Sequence, residues 1–144
     1  HLDQVRALDL PVILEMFHPS RRDTCYVALV RLREGQAMIV LGESALLPVS
    51  EAELDRLWTR QAIFLWRNFD ALRSGTDDIR TAAWARENLG RLGYLGQDRD
   101  LSSAVARFQR DANLTADGLI GARTLMSLYS RGRYPQPRLT GGAS

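Results

Sequence analysis

Residues 104–125 read AVARFQRDANLTADGLIGARTL, two helical patterns joined by the chain's only Asp-Gly dipeptide, and few folds accept such a stretch. Val105, Phe108 and Ala112 recur at i, i+3 and i+7, the spacing of one helix face, and Ser102 or Ser103 is placed to cap that helix. Arg107, Arg110 and Asp111 then point outward. Residues 114–118, LTADG, break the period, and the glycine accepts the positive φ that other residues resist. A second helix begins near Gly121. It carries Leu125, Leu128 and Tyr129 at i, i+3 and i+4, and stops at Gly132 with Pro135 and Pro137 behind it. The stretch predicts one helix, a tight turn and a second helix.

The rest of the chain bounds what surrounds this unit. Its 144 residues, 45% hydrophobic and 25% charged, have an ordinary globular composition, enough for one medium domain or two small ones. No apolar run is long enough to cross a bilayer, and no stretch reads as the n-region and h-region of a secretory signal. Because it starts at His1 rather than Met, the expectation is a portion of a longer protein, with any anchor or targeting signal outside it. All 19 basic residues are arginine. Up to Ser74 nine arginines face ten acids, and beyond it ten face seven, so the second half is mildly basic. That balance suits an acidic polymer such as a peptide-bearing glycan. It falls short of the clustered stripe of a nucleic-acid binder.

Upstream, residues 2–10 read as a short lead-in and Pro11 as the start of a strand over 12–17, VILEMF. A polar loop precedes a buried strand over 25–32, CYVALVRL, a hairpin turn at 33–36 and the returning strand 37–41. Residues 42–45 turn again, and 46–49 form a short further strand. Ser50 and Glu53 match a capping box for a short helix whose apolar face holds Leu54, Leu57 and Trp58. A last strand is expected over 61–67. Residues 68–78 lose all periodicity and read as a linker, with Asp77 or Asp78 capping the next helix. The tail, 133–144, reads as disordered. The predicted domains are therefore a β domain over 1–67, a linker over 68–76, a helical domain over 77–132 and the tail.

Candidate chemistry in the first half is thin. Cys25, the only cysteine, would need a base and an environment that lowers its pKa to act as a nucleophile. His1 and His18 are the only histidines, and Cys25 opens a strand rather than a helix, so it reads as a buried inert thiol. Two histidines are too few for a zinc hydrolase, and no metal or cofactor is expected. A glycosidase needs only two spaced carboxylates, and 17 acids leave that open although no pair stands out. Trp58, Phe64 and Trp66 fit a sugar-stacking platform and core positions alike, and are read as core. Around the turn, Asp117 and Gly118 make the bend, Ile120 plugs the core, Gly121 allows close backbone approach and Thr124 starts a helix. The same loop offers backbone amides near a helix N-terminus to a carboxylate, with Arg123 beside it.

The second half resembles a known family. FQRDANLTADGLIGARTLMSL is similar to the FQ, Leu, DG-hydrophobic-x-G, x-x-T signature of the small three-helix peptidoglycan-binding domain, and residues 79–95, IRTAAWARENLGRLGYL, supply its first helix. Where the family often carries a DG turn after that helix, residues 96–100, GQDRD, stand instead. The resemblance places a ligand groove along the loop and the end of the first helix, so the ligand-binding candidates are Asp117, Gly118, Gly121, Arg123, Thr124, Tyr94 and Gln109. The first half, VILEMF, CYVALVRL, AMIVL and SEAELDRLWTRQAIFLW, resembles the β-sheet half of bacteriocin-processing papain-like cysteine peptidases. In those the catalytic histidine begins the CYVAL strand and an aspartate follows the hairpin. Cys25 and the Gly42-Glu43 pair hold these positions here, which implies a degenerate fold without peptidase chemistry.

A degenerate peptidase half followed by a peptidoglycan-binding module is the order found at the periplasmic end of the general secretion pathway protein A family. The resemblance implies an α+β chain, a small antiparallel sheet with one helix followed by three helices. It also implies a non-catalytic periplasmic region of an inner-membrane protein whose separate ATPase domain is cytoplasmic. Peptidoglycan would be the ligand, general secretion pathway protein B a partner, and a homo-oligomer on the cell wall the assembly that helps place the type II secretion secretin. Two other readings stay open on the residues: a cell-wall hydrolase or cysteine peptidase targeted by the module, and a structural interaction domain that has lost its ligand.

Overall fold

Val12, Leu14 and Met16 alternate with Ile13, Glu15 and Phe17, and this period of two makes β1 (Val12–Phe17) a strand with one buried face. In the computed structural model, which describes residues 1–43, 45–96 and 100–141, four more strands join it. They are β2 (Thr24–Arg33), β3 (Gln36–Val40), β4 (Leu47–Ser50) and β5 (Trp58–Phe64). Every pairing is antiparallel, in the order β4-β3-β2-β1-β5. Two helices belong with the sheet, α1 (Leu2–Leu8) and α2 (Glu51–Leu57). The fold is α+β as expected, with one helix more than the sequence suggested beside the sheet. The 2–10 lead-in is α1, whose Leu2 and Val5 enter the core with Leu14, Leu29, Leu54 and Trp58.

The Ser50 cap is present, its hydroxyl accepting from the Glu53 amide at 3.2 Å. Trp58 is not part of the helix face. It already has extended φ and ψ, pairs with Met16 and opens β5 three residues before the expected start. An irregular register between Leu14 and Met16, with Arg60 at φ +76, absorbs the extra residues. Asp55 holds that arginine at 2.5 Å.

The chain divides into two units, His1–Trp66 with Gln136–Ser144, and Arg67–Pro135. This differs from the expected linker and tail. Residues 68–75 are part of the helical unit: the Tyr129 hydroxyl bonds to the Asn68 and Asp70 side chains, and the Gly75 amide donates to the Ile120 carbonyl at 2.9 Å. At the other end the tail returns to the sheet unit. Leu139 is fully buried, and its carbonyl accepts from the Leu32 amide at 2.9 Å. Asp9, in left-handed backbone at the end of α1, accepts from the Thr140 amide and hydroxyl. A buried leucine and satisfied backbone groups are what a disordered tail lacks. The expected turn at 42–45, the 96–100 stretch and the tail each lie partly outside the described residues.

The helical unit contains α3 (Ile79–Arg91), α4 (Leu101–Asp111) and α5 (Ala122–Arg131). Asp78 caps α3, accepting from the Thr81 amide at 2.8 Å. α4 is capped by Asp100 rather than by either serine, because Leu101 is already helical and buried. Val105, Phe108 and Ala112 are buried as their spacing requires, and so are Ile120 and, on α5, Leu125, Leu128 and Tyr129.

Candidate ligand-binding site

Gln109 organises the turn. Its side-chain nitrogen donates to Asp117 Oδ1 at 2.9 Å, to the Leu119 carbonyl at 2.9 Å and to Thr124 Oγ1 at 3.1 Å. Its side-chain oxygen accepts from the Gly118 amide at 2.9 Å. Asp117 Oδ1 also accepts from the Leu119 amide at 2.9 Å, and these bonds, that amide first and Gln109 next, hold its carboxyl below the usual carboxylate range. Gly118 has φ +72, and a Cβ there would lie 2.4 Å from Ser102 Oγ, so the position requires glycine twice over. Gln109, Asp117, Gly118 and Thr124 therefore form one hydrogen-bonded cluster. Gln109 and Thr124 are buried inside it, and the exposed surface of the turn is Asp117, Leu119 and the start of α5.

Gly121 is the N-cap of α5 with extended backbone, and no side chain caps the helix. A Cβ at Gly121 would meet nothing, so the close approach expected there does not exist. It leaves the first amides of α5 open beside exposed Arg123, an arrangement that suits an anion.

Tyr94 is placed elsewhere. Gly93, at φ +82, ends α3 and turns the chain so that the Tyr94 amide donates to the Leu89 carbonyl. The Tyr94 ring meets Phe108 edge-on at 5.4 Å between centroids. Its hydroxyl donates to Asp111 Oδ2 at 2.9 Å and accepts from Arg131 at 3.4 Å. Burial, and then the neighbouring Asp111 carboxylate, raise its pKa. No hydrogen bond among the described residues joins Tyr94 to the Asp117 turn.

Beside Tyr94 lies a groove of about 580 Å³ lined by Asn88, Arg91 and Leu92 of α3 and its end, and by Arg131, Gly132 and Arg133 at the end of α5. Sequence reasoning missed it. Its one signal is that arginines cluster at both helix C-termini, which also suits the helix dipole. A Cβ on Gly132 would lie 3.0 Å from the Tyr134 ring and 3.1 Å from the Leu128 carbonyl, so glycine lets Tyr134 fold against the helix end. There the Tyr134 hydroxyl accepts from Trp84 Nε1 and donates to Asp70, both within 2.9 Å. That gives Trp84, unassigned from sequence, a packing role.

In the sheet unit Trp58 is core, and Phe64 packs against it. Cys25 is half-buried in β2 opposite Met16. His18 Nδ1 accepts from the Ser20 amide in its own loop. Among the described residues no three His, Cys, Asp or Glu side chains group as metal ligands, and no helix is long and apolar enough to cross a membrane.

The helical unit is where comparison with known proteins is informative. Residues 82–128 match the family model of the putative peptidoglycan binding domain. The matched segment is about a third of the chain, from Ala82 in α3 to Leu128 in α5, and contains all seven candidate residues. Arg131 and Arg133 fall beyond it. Among solved structures the chain is similar to a periplasmic domain of the EpsAB fusion protein of the Vibrio vulnificus type II secretion system. Identity is 22% and the TM-score 0.47, over 95% of this chain and 64% of that one. The chain thus spans less than two thirds of that structure's length. No curated protein matches it.

Proposed function

We propose that the chain is a periplasmic, non-catalytic wall anchor that binds peptidoglycan through α3–α5. The observation that carries this reading is the peptidoglycan-binding match to residues 82–128, which falls on one compact helical unit. The uncapped start of α5 with Arg123 supports placing a stem carboxylate at that turn, next to Asp117, Gly118, Gly121 and Thr124. Tyr94 belongs to the same ligand surface by resemblance, and Gln109 serves it as the pin beneath. The sheet unit is read as the protein-contacting part. The order of the two units supports the general secretion pathway protein A resemblance, and with it an inner-membrane anchor in the whole protein. On that reading the chain self-associates on the wall, contacts general secretion pathway protein B and helps assemble the secretin.

Co-sedimentation with purified sacculi tests the reading. The chain is expected in the pellet without releasing soluble fragments, and Arg123→Ala to weaken binding about fivefold, the worth of one partly exposed ion pair. An unbound chain would overturn the anchor, and release of fragments would establish a hydrolase instead.

A further inference from the structure

We propose that the groove between the ends of α3 and α5 seats the carboxy-terminal end of a wall stem peptide, an inference that rests on the wall-binding reading. Three arginines, Arg91, Arg131 and Arg133, line one cavity whose volume suits a small ligand. The nearby carboxylates are already engaged. Glu87 pairs with Arg91 one helical turn away, and Asp111 accepts from Tyr94. Asp70 accepts from the Tyr134 and Tyr129 hydroxyls, so each of these acids already has a partner, and Arg133 is the arginine of the groove left to a ligand.

The three arginines differ in what the fold asks of them. Arg131 is held in place, donating to the Asp111 carbonyl at 3.0 Å and to the Tyr94 hydroxyl, with its guanidinium 5.1 Å from the Phe108 ring centroid. As the last residue of α5 it also complements the helix dipole, so its presence has a structural explanation. Arg133 lies past the helix, is exposed, and makes no hydrogen bond or ion pair among the described residues. It is free to take a carboxylate seated in the groove, and the planar fork of a guanidinium matches two carboxylate oxygens.

Asn88 adds a hydrogen-bond acceptor to the groove. Its side-chain nitrogen donates to the Trp84 carbonyl at 2.9 Å, and no described group donates to its oxygen. An acceptor beside a cluster of guanidiniums fits an amide N–H followed by a free carboxylate, the end of a peptide. In wall polymer those ends belong to the stems and not to the glycan strand.

The test sediments the full chain with untreated sacculi, with sacculi whose carboxylates have been amidated, and with sacculi stripped of stems by an amidase. Arg133→Ala and Arg133→Glu are run beside the wild type after circular dichroism has shown them folded. Binding to untreated sacculi is expected to fall about tenfold on amidation, on stripping and in Arg133→Ala, the loss of one charge-assisted contact, and further in Arg133→Glu. Equal binding to all three preparations would overturn the seat and leave wall binding standing. Wild-type binding by Arg133→Ala would likewise overturn it. Absence from every pellet would overturn both.

Discussion

Gln109 carries neither charge nor reactive atom, yet it joins four groups of the Asp-Gly turn that lie 8 to 15 residues away. Replacing it by leucine keeps the bulk and strands the Gly118 amide, whereas the Leu119 carbonyl keeps the Gly121 amide, so Gln109→Leu should destabilise the helical unit by about 1–3 kcal/mol. Gly118→Ala should cost about 2 kcal/mol or more, since it meets Ser102 as well as left-handed strain. Urea denaturation of the two variants measures both. The turn itself is legible in sequence because φ preference belongs to the dipeptide. The partners of Gln109 are not, because a glutamine in FQRD shows nothing of where the chain returns.

Elements were read well where one periodicity governed them and poorly where a partner decided. β1 and the buried faces of α4 and α5 follow their spacing. The tail had no such signal: Leu139 sits among Pro135, Pro137, Gly141 and polar residues, and only the gap it fills beside Leu32 and α1 makes it core. Leu139→Ala should therefore destabilise the sheet unit by about 3 kcal/mol, as for other fully buried leucines. Amide exchange reads the effect locally, speeding at Leu32, which donates to the Leu139 carbonyl, and holding steady at Gly118 in the helical unit.

At the scale of the whole molecule, the helical unit is one insertion between two segments of the sheet unit. The raised tyrosine pKa values, at Tyr94, Tyr129 and Tyr134, all fall in the helical unit, with burial the first cause of each. An unfolded tyrosine ionises near 10.0 while these keep their protons, so their contribution is complete below that pH and declines above it. Urea midpoints of the helical unit should fall from about pH 10 upward, and Tyr129→Phe should blunt the fall. In acid the sign reverses. Asp78, Asp100 and Asp117 are lowered by Thr81, Ser103 and Leu119 respectively, and what they add above 3.8 is lost as pH drops through their folded values. Sequence by itself determined the α+β class, the strand and helix faces and the Asp-Gly turn, because these depend on neighbours within a few residues. Tertiary structure alone decided that residues 68–75 belong to the helical unit and 136–141 to the sheet unit, that Gln109 is buried, and that three arginines from two helix ends share a groove. Each of those depends on which distant residues meet, and local preference does not encode that.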